Sequence, residues 1–202
     1  MIRLSRAEQQ RQTRERLLAA GAAVFARRGF LAATVEEVVA EAGYTRGALY
    51  KHFGGKEGLW QAISDAQVEH HLRHLADRLD QVEDRAGLIA ALVPVGPAFG
   101  ADEPRWGVAA HEFATWVAGH PELSVTVLSA QRERERRIEA AVARACARLG
   151  VRAAMPLAQV VVVIGALGGS LALRRAVDPG TDVHAIAAGT VAALFPEPKG
   201  AA

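Results

Sequence analysis

Thr34-Val35-Glu36-Glu37-Val38-Val39-Ala40-Glu41-Ala42-Gly43-Tyr44-Thr45-Arg46-Gly47-Ala48-Leu49-Tyr50-Lys51-His52-Phe53-Gly54-Gly55-Lys56 sets out two short helices and a tight turn in 23 residues. Thr34 followed three residues later by Glu37 is a capping box, in which each side chain satisfies a backbone N–H at the helix start. Val35, Val38, Val39 and Ala42 form the apolar face of that helix. Gly43 stands where a helix end takes a left-handed residue without a Cβ penalty, so Gly43-Tyr44 is the turn. Thr45 is the N-cap of the second helix, whose inward residues are Ala48, Leu49 and Phe53. Arg46, Gly47, Tyr50 and Lys51 face out, and His52 and Lys56 are also offered to solvent.

This is the pattern of a helix-turn-helix. A helix in the major groove reads base edges with residues near its N-terminus, while surrounding polar groups hold phosphates and set the register. Arg46 and Gly47 occupy the reading position, the glycine allowing close backbone approach. Tyr50, His52 and Lys56 suit phosphates, and Lys56 opens a further helix whose free N–H groups attract the same anions.

From about Arg14 to Trp60 the chain resembles the DNA-binding domain of the tetracycline-repressor (TetR) family. The resemblance is carried by Val24-Phe25-Ala26-Arg27-Arg28-Gly29-Phe30, Ala33-Thr34-Val35, Ala42-Gly43, Leu49-Tyr50-Lys51-His52-Phe53 and Lys56-Glu57-Gly58-Leu59. It implies phosphate contacts at Thr34, Tyr50, His52 and Lys56, and base contacts at Thr45, Arg46 and Gly47. With Tyr44 and Lys51 these make up the expected DNA-binding set. Gly55 departs from the family's usual Ser, Asp or Asn cap, a difference of only a few tenths of a kcal/mol.

Charge follows the same division. Residues 1–60 hold ten Lys+Arg against six Asp+Glu, a net +4, and the remainder of the 202 residues is net −2. Positive charge on a DNA-facing part is what phosphate neutralisation needs. Arg3, Arg6 and Arg11 are expected in a solvated, partly disordered terminus, the alternative being an arm that adds backbone or minor-groove contacts. The 50% hydrophobic and 23% charged composition excludes a disordered protein. Cys146 is alone, which leaves no internal disulfide or Cys-based zinc site and suits a reducing cytoplasm, bacterial as the resemblance implies. The polar N-terminus carries no secretory h-region.

Periodicity beyond Lys56 is helical throughout, giving an all-α fold of about nine helices. The expected organisation is a DNA-binding domain at 1–56, an effector-binding and dimerisation domain at 57–195 and a flexible tail at 196–202. Helix four runs from about Lys56 to Val82, helix five from Arg85 to Val93, and the segment from Val93 to Pro97 is broken by prolines. Helix six covers about Glu103 to Gly119, helix seven Pro121 to Leu149, helix eight Met155 to Ala176 and helix nine Asp182 to Phe195.

Helix six carries Trp106, Ala109, Ala110, Phe113, Trp116 and Val117 on one face, large aromatics alternating with small alanines. Such a face lines a pocket for a small hydrophobic or aromatic effector, with Trp60, His74, Trp106, Ala110, Phe113 and Trp116 as its expected contacts. His70 and His74 have the i, i+4 spacing of a two-ligand metal face, but no motif supplies the remaining ligands. They read as solvated or pocket-lining, with no metal or cofactor implied. The run Arg132 to Arg137 is a charge-laced exposed face.

Leu157 to Leu173 holds no charged residue. It is short for a membrane span, which needs about 20 apolar residues, and an all-round apolar helix is otherwise buried. A partner subunit is the natural cover, so Leu157, Val161, Gly165, Gly169, Leu173, Ile186 and Thr190 are expected at a homodimer interface without membrane insertion. The whole reads as a ligand-responsive regulator, a repressor, holding a palindromic double-stranded operator. The alternatives are a helical carrier or enzyme using His111, Glu112 or the helix-four histidines, and a DNA-binding activator or architectural protein without an effector. No nucleophile-base, phosphate-loop or metal motif supports the enzyme.

Overall fold

The computed structural model describes residues 5–94 and 104–197. Arg3, residues 95–97, Glu103 and the tail beyond 197 lie outside them. Among the described residues there are nine helices and no strand: α1 (Arg6–Ala32), α2 (Val35–Ala42), α3 (Arg46–Phe53), α4 (Lys56–Gln81), α5 (Arg85–Leu92), α6 (Pro104–Ala118), α7 (Pro121–Leu149), α8 (Leu157–Val177) and α9 (Val183–Leu194). The chain divides into two compact units between Glu69 and His70. That point lies inside α4, later than the Lys56 boundary read from sequence, because Leu59, Trp60 and Ile63 of α4 are buried in the first unit's core.

In the first unit, Leu17, Val24, Phe25, Phe30, Val38 and Leu49 are all but fully buried with them. Trp60 meets Phe25 and Phe30 edge-on, at centroid distances of 5.1 and 5.5 Å, the geometry aromatic quadrupoles favour. The N-terminus corrects the sequence reading. Ser5 caps α1 with its hydroxyl accepting from Glu8 N–H at 3.2 Å while Glu8 accepts from Ser5 N–H at 2.6 Å. Arg6 and Arg11 are therefore helical residues. Near its other end α1 is interrupted at Gly29, whose φ of 78° and ψ of 173° no helical residue takes, and the chain bends toward α2.

The second unit is a helical bundle in which α8 touches α6, α7 and α9, and α5 touches α9. Its core includes Leu79, Leu88, Val142, Val160, Ala187, Val191 and Phe195. Small residues set the closest approaches. A Cβ on Gly107 of α6 would lie 2.9 Å from the Ala172 side chain of α8, and one on Gly168 would lie 2.9 Å from Pro94. Long cations tie helix ends together. Arg78 donates to Ala91 O at the end of α5 (2.8 Å), Arg85 to Phe195 O and Ala192 O at the end of α9 (2.5 and 3.2 Å), and Arg148 to Val82 O and Leu79 O at the end of α4 (2.5 and 2.7 Å). Cys146 is buried, and burial pushes its thiol pKa up.

Two glycines of the first unit give opposite expectations. A Cβ on Gly58 would lie 1.9 Å from Phe53 O, whereas one on Gly47 meets nothing closer than Thr45 Oγ1 at 3.8 Å. Gly58→Ala is expected to destabilise the protein by about 1–3 kcal/mol, the cost of forcing atoms into a packed site. Gly47→Ala is expected to be neutral or stabilising by up to about 1 kcal/mol from helix propensity. Chemical denaturation of both variants measures the contrast.

Candidate functional site

The helix-turn-helix is fixed at each of its corners by side chain or backbone geometry. At the start of α2, Thr34 Oγ1 accepts from Glu37 N–H (3.2 Å), and Glu37 Oε2 accepts from both Thr34 N–H (3.0 Å) and the Thr34 hydroxyl (3.1 Å). Arg28 adds an ion pair to the other Glu37 oxygen at 3.2 Å. These bonds, the Thr34 backbone N–H first, hold the Glu37 carboxyl below its ordinary pKa. Gly43 ends α2 in the left-handed region at φ 72°, and Tyr44 N–H donates to Val39 O at 3.0 Å. Thr45 then caps α3, accepting from Ala48 N–H at 3.3 Å. Gly54, again left-handed, closes α3 by donating to Tyr50 O at 2.8 Å.

Leu49 is fully buried under this frame, and Val38, Val39 and Ala42 anchor α2 from below. The outward edge comprises Thr45, Arg46, Gly47, Tyr50 and Lys51, all exposed, with Tyr44 and His52 half-buried beside them. The expected reading residues thus lie together on one open edge.

Two members of the expected set are engaged within the fold. Lys56 Nζ donates to Phe30 O, Leu31 O and Ala33 O at 3.0, 3.4 and 3.2 Å, and sits 4.6 Å from the centroid of the Phe30 ring. Its three N–H donors close the corner between α1 and α2, so Lys56 is not offered to solvent. These carbonyls belong to the last residues of α1 and to its cap, where a long cation reaches them. Thr34 spends its hydroxyl proton on Glu37. Arg46 is paired as well: its Nη1 lies 2.8 Å from Glu36 Oε1, both side chains being about three-fifths exposed. Sequence reasoning assigned Glu36 nothing, although it is the acid in the first turn of α2 left over once Glu37 enters the cap.

The expected ligand contacts do not converge. Trp60 is 2% exposed and belongs to the aromatic core of the first unit, because an apolar residue at helical spacing packs wherever its helix is covered. In the second unit Ala110 is exposed, and Trp106, Phe113 and Trp116 are half-buried. The buried line of α6 runs instead through Ala109 and Val117. Trp116 stacks on His120 at 4.0 Å. His74 is exposed beside His70, with ring centroids 4.3 Å apart. A cavity of about 300 Å³ lies between α4 and α7, lined by Leu72, Leu75, Ala76, Ile138 and Ala141 with Arg137 and Arg144. None of the expected contacts lines it.

On α8 the expected dimer residues separate by face. Gly165 and Gly169 are exposed with open space around them, and Ile186 of α9 is 46% exposed. Val161 points inward at 5% exposure, which corrects its assignment. Leu157, Leu173 and Thr190 are half-buried. The large exposed apolar residues of α8 are Val162, Val163 and Val177, the first two hidden by the even hydrophobicity of this segment. By length and composition α8 alone among the described helices is apolar enough to cross a membrane, yet its inner face packs on α6, α7 and α9.

A capped pair of short helices on a longer one, with a hydroxyl-rich and basic outer edge, defines the helix-turn-helix class. Residues 17–63 match the sequence model of the bacterial regulatory proteins of the tetR family. The transcriptional regulator TtgR of Pseudomonas putida is 39% identical over 84 residues, 42% of this chain and 39% of TtgR. The matched stretch thus spans about two-fifths of the length of such curated relatives. A TetR-family transcriptional regulator from Pectobacterium atrosepticum is 27% identical, with a TM-score of 0.65 over 97% of this chain and 100% of that one. SmeT in complex with triclosan is 24% identical, with a TM-score of 0.64 over 93% of each chain. Residues 17–63 are thus similar to the DNA-binding part of tetR-family regulators, and the fold of the chain is that of such a regulator. The relatives it resembles are transcriptional regulators and not enzymes.

Two predictions follow from the corners. Thr34→Ala is expected to cost about 1 kcal/mol of stability. Because the Glu37 pKa is depressed in the fold, its contribution is present above the ordinary carboxylate pKa and lost as pH falls through the depressed value. Thr34→Ala should therefore show a smaller stability loss on acidification than the parent, read from denaturation midpoints at about pH 7 and about pH 3. Lys56→Met keeps the stem and removes the donors. It is expected to cost about 1–3 kcal/mol, as for hydrogen bonds to a charged group.

Proposed function

We propose that this chain is a homodimeric transcriptional regulator, a repressor, that binds a palindromic double-stranded DNA operator in the cytoplasm and is released by a small hydrophobic or aromatic effector. The observation that carries the reading is the rigid, exposed edge of α3. Thr45, Arg46 and Gly47 stand at its N-terminal end, the part of a recognition helix that meets base edges. Tyr50 and Lys51 follow with a hydroxyl and an ammonium suited to phosphates, and Tyr44 and His52 flank them. Thr34 reaches phosphate only by giving up its bond to Glu37. Lys56 acts by bracing the corner that carries α2.

The open apolar faces of α8 and α9 support a second copy as the partner. Val162, Val163 and Ile186 expose large hydrophobic surface, while Gly165, Gly169 and Gly189 leave room for a helix to approach closely. Burial against an identical face removes that surface from water at about 25 cal/mol per Å². A two-fold pair presents two recognition helices to half-sites about 34–36 Å apart or a multiple of it.

The effector is supported more generally, by the half-buried aromatics of α6, by the cavity between α4 and α7 and by the triclosan bound to SmeT. An effector that favours a conformation unable to hold both half-sites weakens operator binding by its differential affinity for the two states. No membrane partner or cofactor enters this scheme.

Selection of genomic fragments with the purified protein, followed by footprinting, tests the proposal. A short symmetric protected site is expected, and diffuse salt-sensitive coverage or none overturns it. Lys51→Ala is expected to lower the salt slope of binding by about 0.9 on all sequences, measured by titration at several salt concentrations. Val162→Glu with Ile186→Glu is expected to yield monomers by sedimentation and to weaken operator binding by about a hundredfold or more, as loss of bivalency does.

A further inference from the structure

The ion pair between Arg46 and Glu36 sits where the proposed function puts the base edges. Arg46 is the first residue of α3, and the Thr45 cap fixes the backbone from which it projects. Glu36 lies in the first turn of α2 and holds Arg46 Nη1 at 2.8 Å. Beside it Gly47 presents open space. An exposed carboxylate is out of place on a surface meant for phosphates, since it repels them. An isolated surface pair also adds little stability, so packing gives no reason for it.

We infer that Glu36 is a positioning residue for sequence discrimination: it orients the Arg46 guanidinium so that the remaining N–H donors address a guanine. Arg pairs with guanine O6 and N7 through two parallel N–H bonds, and each such contact discriminates against other bases. A guanidinium has five donors in a planar fork. Anchoring one nitrogen to Glu36 Oε1 biases the direction of the guanidinium and leaves Nε and Nη2 unconstrained by that bond. Without the anchor, Arg46 samples many rotamers and a nearby phosphate becomes its strongest partner. The carboxylate also penalises any register that brings a phosphate to this corner. Both effects lower binding to bulk DNA relative to the operator.

This inference rests on the regulator reading, and the test separates the two. Operator fragments selected by the parent protein are compared with single base-pair variants and with bulk competitor DNA, for the parent, Glu36→Gln, Glu36→Ala, Arg46→Lys and the double variant Glu36→Gln with Arg46→Lys. Arg46→Lys identifies the base pair that Arg46 reads. Glu36→Ala is expected to lose about two- to fivefold in discrimination at that same base pair, the most that an exposed ion pair can transmit, with binding to bulk DNA unchanged or tighter. Glu36→Gln keeps an amide oxygen as acceptor and should lose less. The double variant should lose no more than Arg46→Lys alone, because both substitutions remove one coupled contact. Melting temperatures close to the parent's are expected throughout. If Glu36→Ala and Glu36→Gln keep full discrimination, or weaken all sequences equally, the positioning role is wrong while the regulator reading stands. If the parent selects no sequence, the regulator reading itself fails.

Discussion

A helix leaves its last carbonyls without partners, and in this chain the shortage is met largely by cations sent from other helices. Lys56 serves the end of α1, Arg78 the end of α5, Arg85 the end of α9 and Arg148 the end of α4. Each bond joins a positive group to the negative end of a helix dipole, so charge and hydrogen bonding act together. Short helices gain little from their own propensity and depend on contacts to neighbours. With α2, α3 and α5 at eight residues each, such cross-ties and caps decide where the helices stop and how the chain leaves them.

The same economy shapes the charge of the first unit. Residues 1–69 hold ten Lys+Arg against eight Asp+Glu, a net +2, and of those cations Arg28 is held by Glu37, Arg27 by Glu41, Arg46 by Glu36 and Lys56 by backbone carbonyls. The Glu41 carboxyl is lowered in pKa by its bond to Arg27. The positive end of α2 faces its own carboxylates, Glu36 and Glu37. Attraction to a polyanion therefore draws on fewer cations than composition implies, and the helix start that commonly receives a phosphate is already answered from within.

Local signals were legible in the sequence and directional ones were not. The Thr34–Glu37 capping box, the left-handed Gly43 and the Thr45 cap each have a short-range mechanism, and all three stand as read. Ser5 and Glu8 form the same box but escaped notice, because the arginines around them drew the reading toward a solvated terminus. Trp60 and Val161 failed for another reason. Spacing shows that a residue shares a face with its neighbours, but not which partner covers that face. Glu36 was invisible because an exposed acid beside a capping acid has no sequence signature of its own.

The two sides of α8 face different tolerances to change. Gly168 sits against Pro94 so closely that an added methyl finds its space taken, whereas Gly165 and Gly169 look onto emptiness in the single subunit. A survey of variants scored by folding alone would rank the latter pair as freely replaceable. Scored by assembly, those same positions would emerge as constrained, and the gap between the two rankings would trace the outline of the surface that a second subunit covers.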